Sequence, residues 1–136
     1  MMEDVGWIDT CVFVHARTRD SHSEACRALL TKLEAGDAQG QIDPVVVHEL
    51  TYVLTTRFPE TKLQAAAYIK MILSWDNIDA VGGKEPLIAA LITWAEQGVD
   101  FADALLAARA QQDGTMVSTV NVRDIVRAGA FANLPE

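Results

Sequence analysis

Four places in this chain put an acid or a polar cluster at the end or edge of an apolar segment. Asp9 lies in WIDTCVFVHA, Glu49 in PVVVHELTYVL, and Asp103 opens the Ala/Leu run of VDFADALLAARA. A last polar cluster, Thr119, Asn121 and Asp124, follows the short apolar run TMVS. A carboxylate beside a packed core is costly unless something compensates it, and a shared divalent cation is the usual compensation. Acids spread over most of the chain in this way suggest one metal site assembled by folding.

Each position also has a structural explanation. Asp9 fits an Asx-turn or a helix cap at a strand end. Glu49 fits an exposed helical glutamate. Asp100 and Asp103 fall in a first helical turn, where acids interact favourably with the helix dipole, and Asp100 suits an N-cap. Thr119, Asn121 and Asp124 fit a strand-to-helix turn. Other chemistries match poorly. The chain has no GxSxG elbow, P-loop, GxGxxG or HExxH, and His15, His22 and His48 lack zinc-ligand spacing.

The elements that must carry these residues alternate. Residues 5–14 read as a buried central strand, with Cys11 inside it. Ser21 to Glu24 has the capping-box pattern and starts a helix through about Glu34. Gly36 and Gly40 mark a turn, and Gln41-Ile42 a short strand. Asp43-Pro44 supplies an N-cap and N1 proline for a helix over 44–57, with Val45, Val46, Leu50 and Val53 on the stripe beside Glu49. Pro59 separates this from a helix over 60–74, packed through Leu63, Ala66, Ala67, Ile69 and Met71. A strand over 77–81 ends at Gly82-Gly83, helices follow over 85–97 and 101–112, and 115–118 forms a final core strand. Alternation of this kind predicts a three-layer α/β/α domain around a parallel sheet of four to five strands, with its site at the strands' C-terminal ends.

The 136 residues predict a single domain over 1–136, and 50% hydrophobic with 22% charged residues is ordinary globular composition. No apolar run approaches a membrane span, and MMEDVGWIDT carries acids where a signal peptide would carry Lys or Arg, so a cytoplasmic protein is expected. Cys11 and Cys26 read as reduced thiols. A net charge of −8 argues against gripping nucleic acid by overall field, though it permits processing of RNA through a local basic rim around a cation, and it suits a basic partner peptide.

Taken in order, Ile8-Asp9-Thr-Cys-Val-Phe-Val-His-Ala, His48-Glu49-Leu, Phe101-Ala-Asp103-Ala-Leu-Leu-Ala-Ala and Ser118-Thr-Val-Asn121-Val-Arg-Asp124 resemble the PIN-domain ribonucleases, and most of all the VapC-like toxins of type II toxin–antitoxin pairs. The resemblance covers nearly the whole chain. It implies a metal-dependent endoribonuclease in which Asp9, Glu49 and Asp103 hold Mg²⁺ or Mn²⁺ and Asn121 or Asp124 completes the catalytic set. It further implies an RNA substrate, a cognate antitoxin that blocks the acidic groove, and a homodimer. Arg17, Arg19, Arg109 and Arg123 are candidates for contacting phosphates. Two positions depart from the family pattern: Cys11 stands where Asn is frequent, and Asn121 where an acid is common. The second departure supports a rival reading, a non-catalytic PIN-like module that binds RNA or protein. A metal-dependent α/β phosphatase is disfavoured, because Asp9-Thr-Cys11 lacks the DxD motif.

Overall fold

The computed structural model describes residues 2–136, and the chain divides into two compact units, one ending at Lys84 and the other spanning Glu85–Glu136. The first unit runs β1 (Glu3–Trp7), α1 (Thr10–His15), α2 (Ser23–Ala35), β2 (Ala38–Ile42), α3 (Pro44–Thr56), α4 (Lys62–Leu73) and β3 (Ile78–Ala80). Its strands form a parallel sheet in the order β1-β2-β3, as expected where each crossover is helical. Glu3 pairs with Ala38, and Gly40 with Ile78. β2 alternates cleanly, burying Ala38, Gly40 and Ile42 and exposing Gln39 and Gln41. Gly40 is therefore a strand residue and not the turn expected of it. A Cβ there would lie 2.7 Å from Ile8 Cδ1 and 3.1 Å from the Gly6 carbonyl, so only glycine lets the sheet close on Ile8.

The expected strand over 5–14 is corrected most. β1 stops at Trp7, and the β-branched run TCVFVH is the helix α1. Asp9 ends the extended segment by accepting the Thr10 N–H, and Phe13 is then driven fully into the core; burial overrides the strand preference of Val12 and Val14. Cys11 is consequently exposed. The capping box expected at Ser21–Glu24 does not form. α2 starts at Ser23, whose hydroxyl instead accepts the Asp20 N–H, while a complete capping box closes α4 through Thr61 and Gln64. Gly36 ends α2 with φ +88°, as a left-handed C-cap should. α3 matches the expected span, with Asp43 as its N-cap. Its buried stripe is Val46, Val47, Leu50, Thr51 and Leu54, with Val45 exposed. In α4, Leu63 and Met71 face outward, and Ala65, Ala66, Ile69, Ile72 and Leu73 are the buried set.

The second unit contains α5 (Lys84–Gln97) from its second residue on, α6 (Phe101–Asp113), β4 (Met116–Ser118), α7 (Val122–Arg127) and β5 (Phe131–Asn133). β4 and β5 form a parallel pair with Val117 beside Ala132. Ala107, Ala110, Val117, Ile125 and Ala130 make a small-residue core that lets α6 and α7 approach this pair closely. β4 is not the last strand: FAN at 131–133 adds another, from three residues with no periodic signal of their own. Trp75 and Trp94 are buried, whereas Trp7 is 60% exposed.

Candidate active site

In the first unit the acids are placed by sheet adjacency. β1 and β2 run parallel, and the Ile8 N–H donates to the Gln41 carbonyl at 2.9 Å, so α1 and α3 both begin beyond the same end of the sheet. Asp9 is the N-cap of α1, and Glu49 lies less than two turns into α3, about 9 Å along its axis from the cap. Thr10 joins them. Its buried hydroxyl donates to Glu49 Oε2 at 3.0 Å, while its N–H donates to Asp9 Oδ1 at 2.8 Å. Cys11 Sγ donates to Asp9 Oδ2 at 3.3 Å. Desolvation, and after it the Asp9 carboxylate that accepts the S–H and repels the thiolate, push the Cys11 thiol above the usual cysteine range.

Asp9, Thr10, Cys11 and Glu49 line a cavity of about 540 Å³ that also meets Val14, His15, Thr18, Val53, Arg57 and Phe58. His15 Nδ1 is 2.7 Å from Asp20 Oδ2. Asp20 also accepts from the Thr18 hydroxyl and the His22 N–H, and these bonds, Thr18's first, hold its carboxyl well below the ordinary range. Arg17, expected as a phosphate contact, is committed elsewhere. It pairs with Glu60 and stacks over the Tyr68 ring at 4.5 Å and the Phe58 ring at 5.6 Å.

In the second unit one amide organises two acids. Asn121 occupies the N-cap position of α7 without capping it; its Nδ2 donates to Asp103 Oδ2 at 3.0 Å and to Asp124 Oδ2 at 2.9 Å. Two carboxylate acceptors leave one workable amide orientation, nitrogen between them. The Thr119 hydroxyl accepts the Asn121 N–H at 2.9 Å and fixes the turn, and Arg127 reaches Asp124 Oδ1 at 3.2 Å. Asp103 sits in the first turn of α6, half-buried; Asp100 holds the N-cap position there without a side-chain cap bond.

Thus Asp9 and Glu49 are brought together in one unit, and Asp103, Asn121 and Asp124 in the other. Among the described residues no three or more His, Cys, Asp or Glu side chains are grouped as a metal cage. Val53, expected on the stripe beside Glu49, lines the cavity, but sequence reasoning missed Arg57 and Phe58 there, although Glu49, Val53 and Arg57 recur at i, i+4 and i+8, a signal of one helix face.

A family model for the PIN domain matches residues 7–128. This chain belongs to the PIN-domain family. The PIN match runs through both units and includes all five candidate site residues. PIN domains are α/β folds built on a parallel sheet, as here, and are generally nucleases, typically using divalent metals. A search of curated proteins finds no match to this PIN protein. No helix of the described residues is long and apolar enough to cross a membrane.

Proposed function

We propose that this PIN-domain protein is a Mg²⁺- or Mn²⁺-dependent endoribonuclease, acting as a single domain over 1–136, and the toxin of a type II toxin–antitoxin pair. The observation that carries the reading is the acid pair of Asp9 and Glu49, wired through Thr10 and lining one cavity in a PIN fold. The donor set fits the ion. Every candidate ligand is a hard carboxylate oxygen, each oxygen keeps lone pairs beyond the single bond it accepts, and Mg²⁺ is commonly held by one or two carboxylates with waters and phosphate filling the rest. The family resemblance implies Asp9, Glu49 and Asp103 as ligands of one or two such ions, with Asn121 and Asp124 completing the catalytic set.

A bound divalent ion would lower the pKa of a water and stabilise charge building on an RNA phosphate. The chain's own residues do the rest. Thr10 fixes the Glu49 rotamer and the Asp9 N-cap together, so neither carboxylate has to be ordered when RNA arrives. Asn121 holds Asp103 and Asp124 with neutral N–H donors and leaves its carbonyl oxygen to orient a water. The resemblance to VapC-like toxins supports a cytoplasmic homodimer and a cognate antitoxin with a basic side chain aimed at the acids, and the net charge of −8 suits such a partner.

Incubation with a mixed RNA pool in Mg²⁺, Mn²⁺ or EDTA tests the activity. Cleavage should need the metal and fall by about 10- to 100-fold or more in Asp9→Ala, since losing even an outer-shell partner of a metal ligand costs that much. Equal cleavage by Asp9→Ala would expose a contaminant. The second reading, a non-catalytic binding module, is favoured by Asn121 at a position where an acid is common and by the absence of a three-acid group among the described residues. Metal-independent RNA binding without any cutting would establish it. Growth arrest on expression, relieved by a neighbouring gene, tests the toxin role.

A further inference from the structure

The cavity that holds Asp9 and Glu49 extends well past them. Glu49 and Val53 stand on one face of α3 and Arg57 is its C-cap, so the eight residue steps from Glu49 to Arg57 cover about 12 Å along the helix axis. That is room for a nucleotide and not merely a phosphate. Among the described residues no ion pair engages the Arg57 guanidinium. Phe58, the next residue, is half-buried and held in place: Arg17 lies over its ring, and Arg17 is in turn held by Glu60 and Tyr68. The cavity therefore pairs a half-buried aromatic ring, covered by Arg17 on one face and leaving the other for a base, with a cation that no ion pair engages, separated along a helix from the acids.

We infer that this far end is a subsite for one nucleotide of single-stranded RNA, with the base on Phe58 and the adjoining phosphate on Arg57. The inference rests on the nuclease reading for which bond is cut, but not for the binding itself. Single-stranded RNA is favoured because a base reaches an aromatic face only when unstacked. A chain of net charge −8 has no general field to hold a polyanion, so affinity must come from local contacts of this kind. A basic peptide suits the far end less well, since Arg57 would repel it.

The test measures fluorescence anisotropy of a labelled, 2′-O-methylated mixed-sequence single strand with the full chain in Mg²⁺. Phe58→Ala should weaken binding by about 5- to 100-fold and Phe58→Trp should retain it, because stacking tolerates any large ring. Arg57→Gln should weaken binding several-fold and flatten its salt dependence by about one ion. Lys32→Gln, which removes an equal charge outside the cavity, should leave affinity unchanged. The same strand annealed to its complement should bind at least about ten-fold more weakly. Where melting shows Phe58→Ala unfolded, Phe58→Leu takes its place. Unchanged affinity without the ring, no binding by the wild type, or binding of an arginine-rich peptide in preference to RNA each overturns the subsite. Parallel cleavage assays separate the two readings. Cleavage lost in Asp9→Ala but with binding indifferent to Phe58 sinks the subsite alone; binding that needs Phe58 without any cleavage sinks the nuclease alone.

Discussion

Asn121 shows how one atom changes the demands on a site. An amide between Asp103 and Asp124 satisfies both carboxylates without a cation, at 3.0 and 2.9 Å. An aspartate there would crowd a third carboxylate onto the pair and remove both donors. Asn121→Asp should therefore lower the metal-free stability by about 1–2 kcal/mol. It should also make thermal stability respond more strongly to Mg²⁺, since the ion would then relieve a repulsion that the amide now prevents. Melting in EDTA and in graded Mg²⁺ checks both signs, and equal metal dependence in the two proteins would detach residue 121 from any cation site. Asp9 carries the same lesson. Its cap role and its candidate ligand role are not alternatives, because the N–H of Thr10 takes only one lone pair.

At the scale of elements, two packings set where the acids stand. The first is the close approach of β1 and β2 at Gly40. Gly40→Ala should cost about 1–3 kcal/mol in urea denaturation, because the new methyl would meet Ile8 and the Gly6 backbone, and strand backbone cannot yield as a side-chain tip can. The second is the clasp of the α1–α2 and α3–α4 connections by Arg17, Glu60 and Tyr68, which also supports Phe58. Burial pushes the Tyr68 phenol up to about 12, against the opposing pull of Arg17, and its hydroxyl donates to the Phe13 carbonyl at 2.9 Å. The folded pKa is raised above the unfolded value of about 10. The stability it contributes is therefore complete below about pH 10 and is lost as pH rises toward about 12. Tyr68→Phe should cost about 1 kcal/mol at neutral pH through the lost hydrogen bond, and its stability should fall less steeply over that alkaline window. Denaturation curves at neutral and alkaline pH decide it; parallel decline in both proteins would remove Tyr68 as the cause.

For the molecule as a whole, a net charge of −8 is a source of self-repulsion. Raising NaCl from roughly 20 to roughly 200 mM should lift the Tm by roughly 2–5 °C, the shift expected from about 1 kcal/mol of screened repulsion in a chain of this size. A Tm that fell with salt would show attractive pairs such as Arg17–Glu60 to be the stronger electrostatic effect. The amino-acid order alone already indicated a parallel α/β class, the spans of α3, α5 and α6, and the acids to watch, because capping residues, glycine stops and apolar periodicity are local properties written every few residues. It misplaced α1, since the strand preference of TCVFVH is a weak local bias and the burial of Phe13 is a property of the packed chain. It overlooked β5, whose three residues gain strand form only by pairing with β4. Tertiary structure alone decided that Thr10 joins Asp9 to Glu49, that Asn121 bridges two carboxylates, that Arg17 is committed to Glu60, and that Arg57 and Phe58 share the acid cavity. Contacts between residues far apart in the chain leave no periodic trace in either partner, so only the folded backbone can bring them to one place.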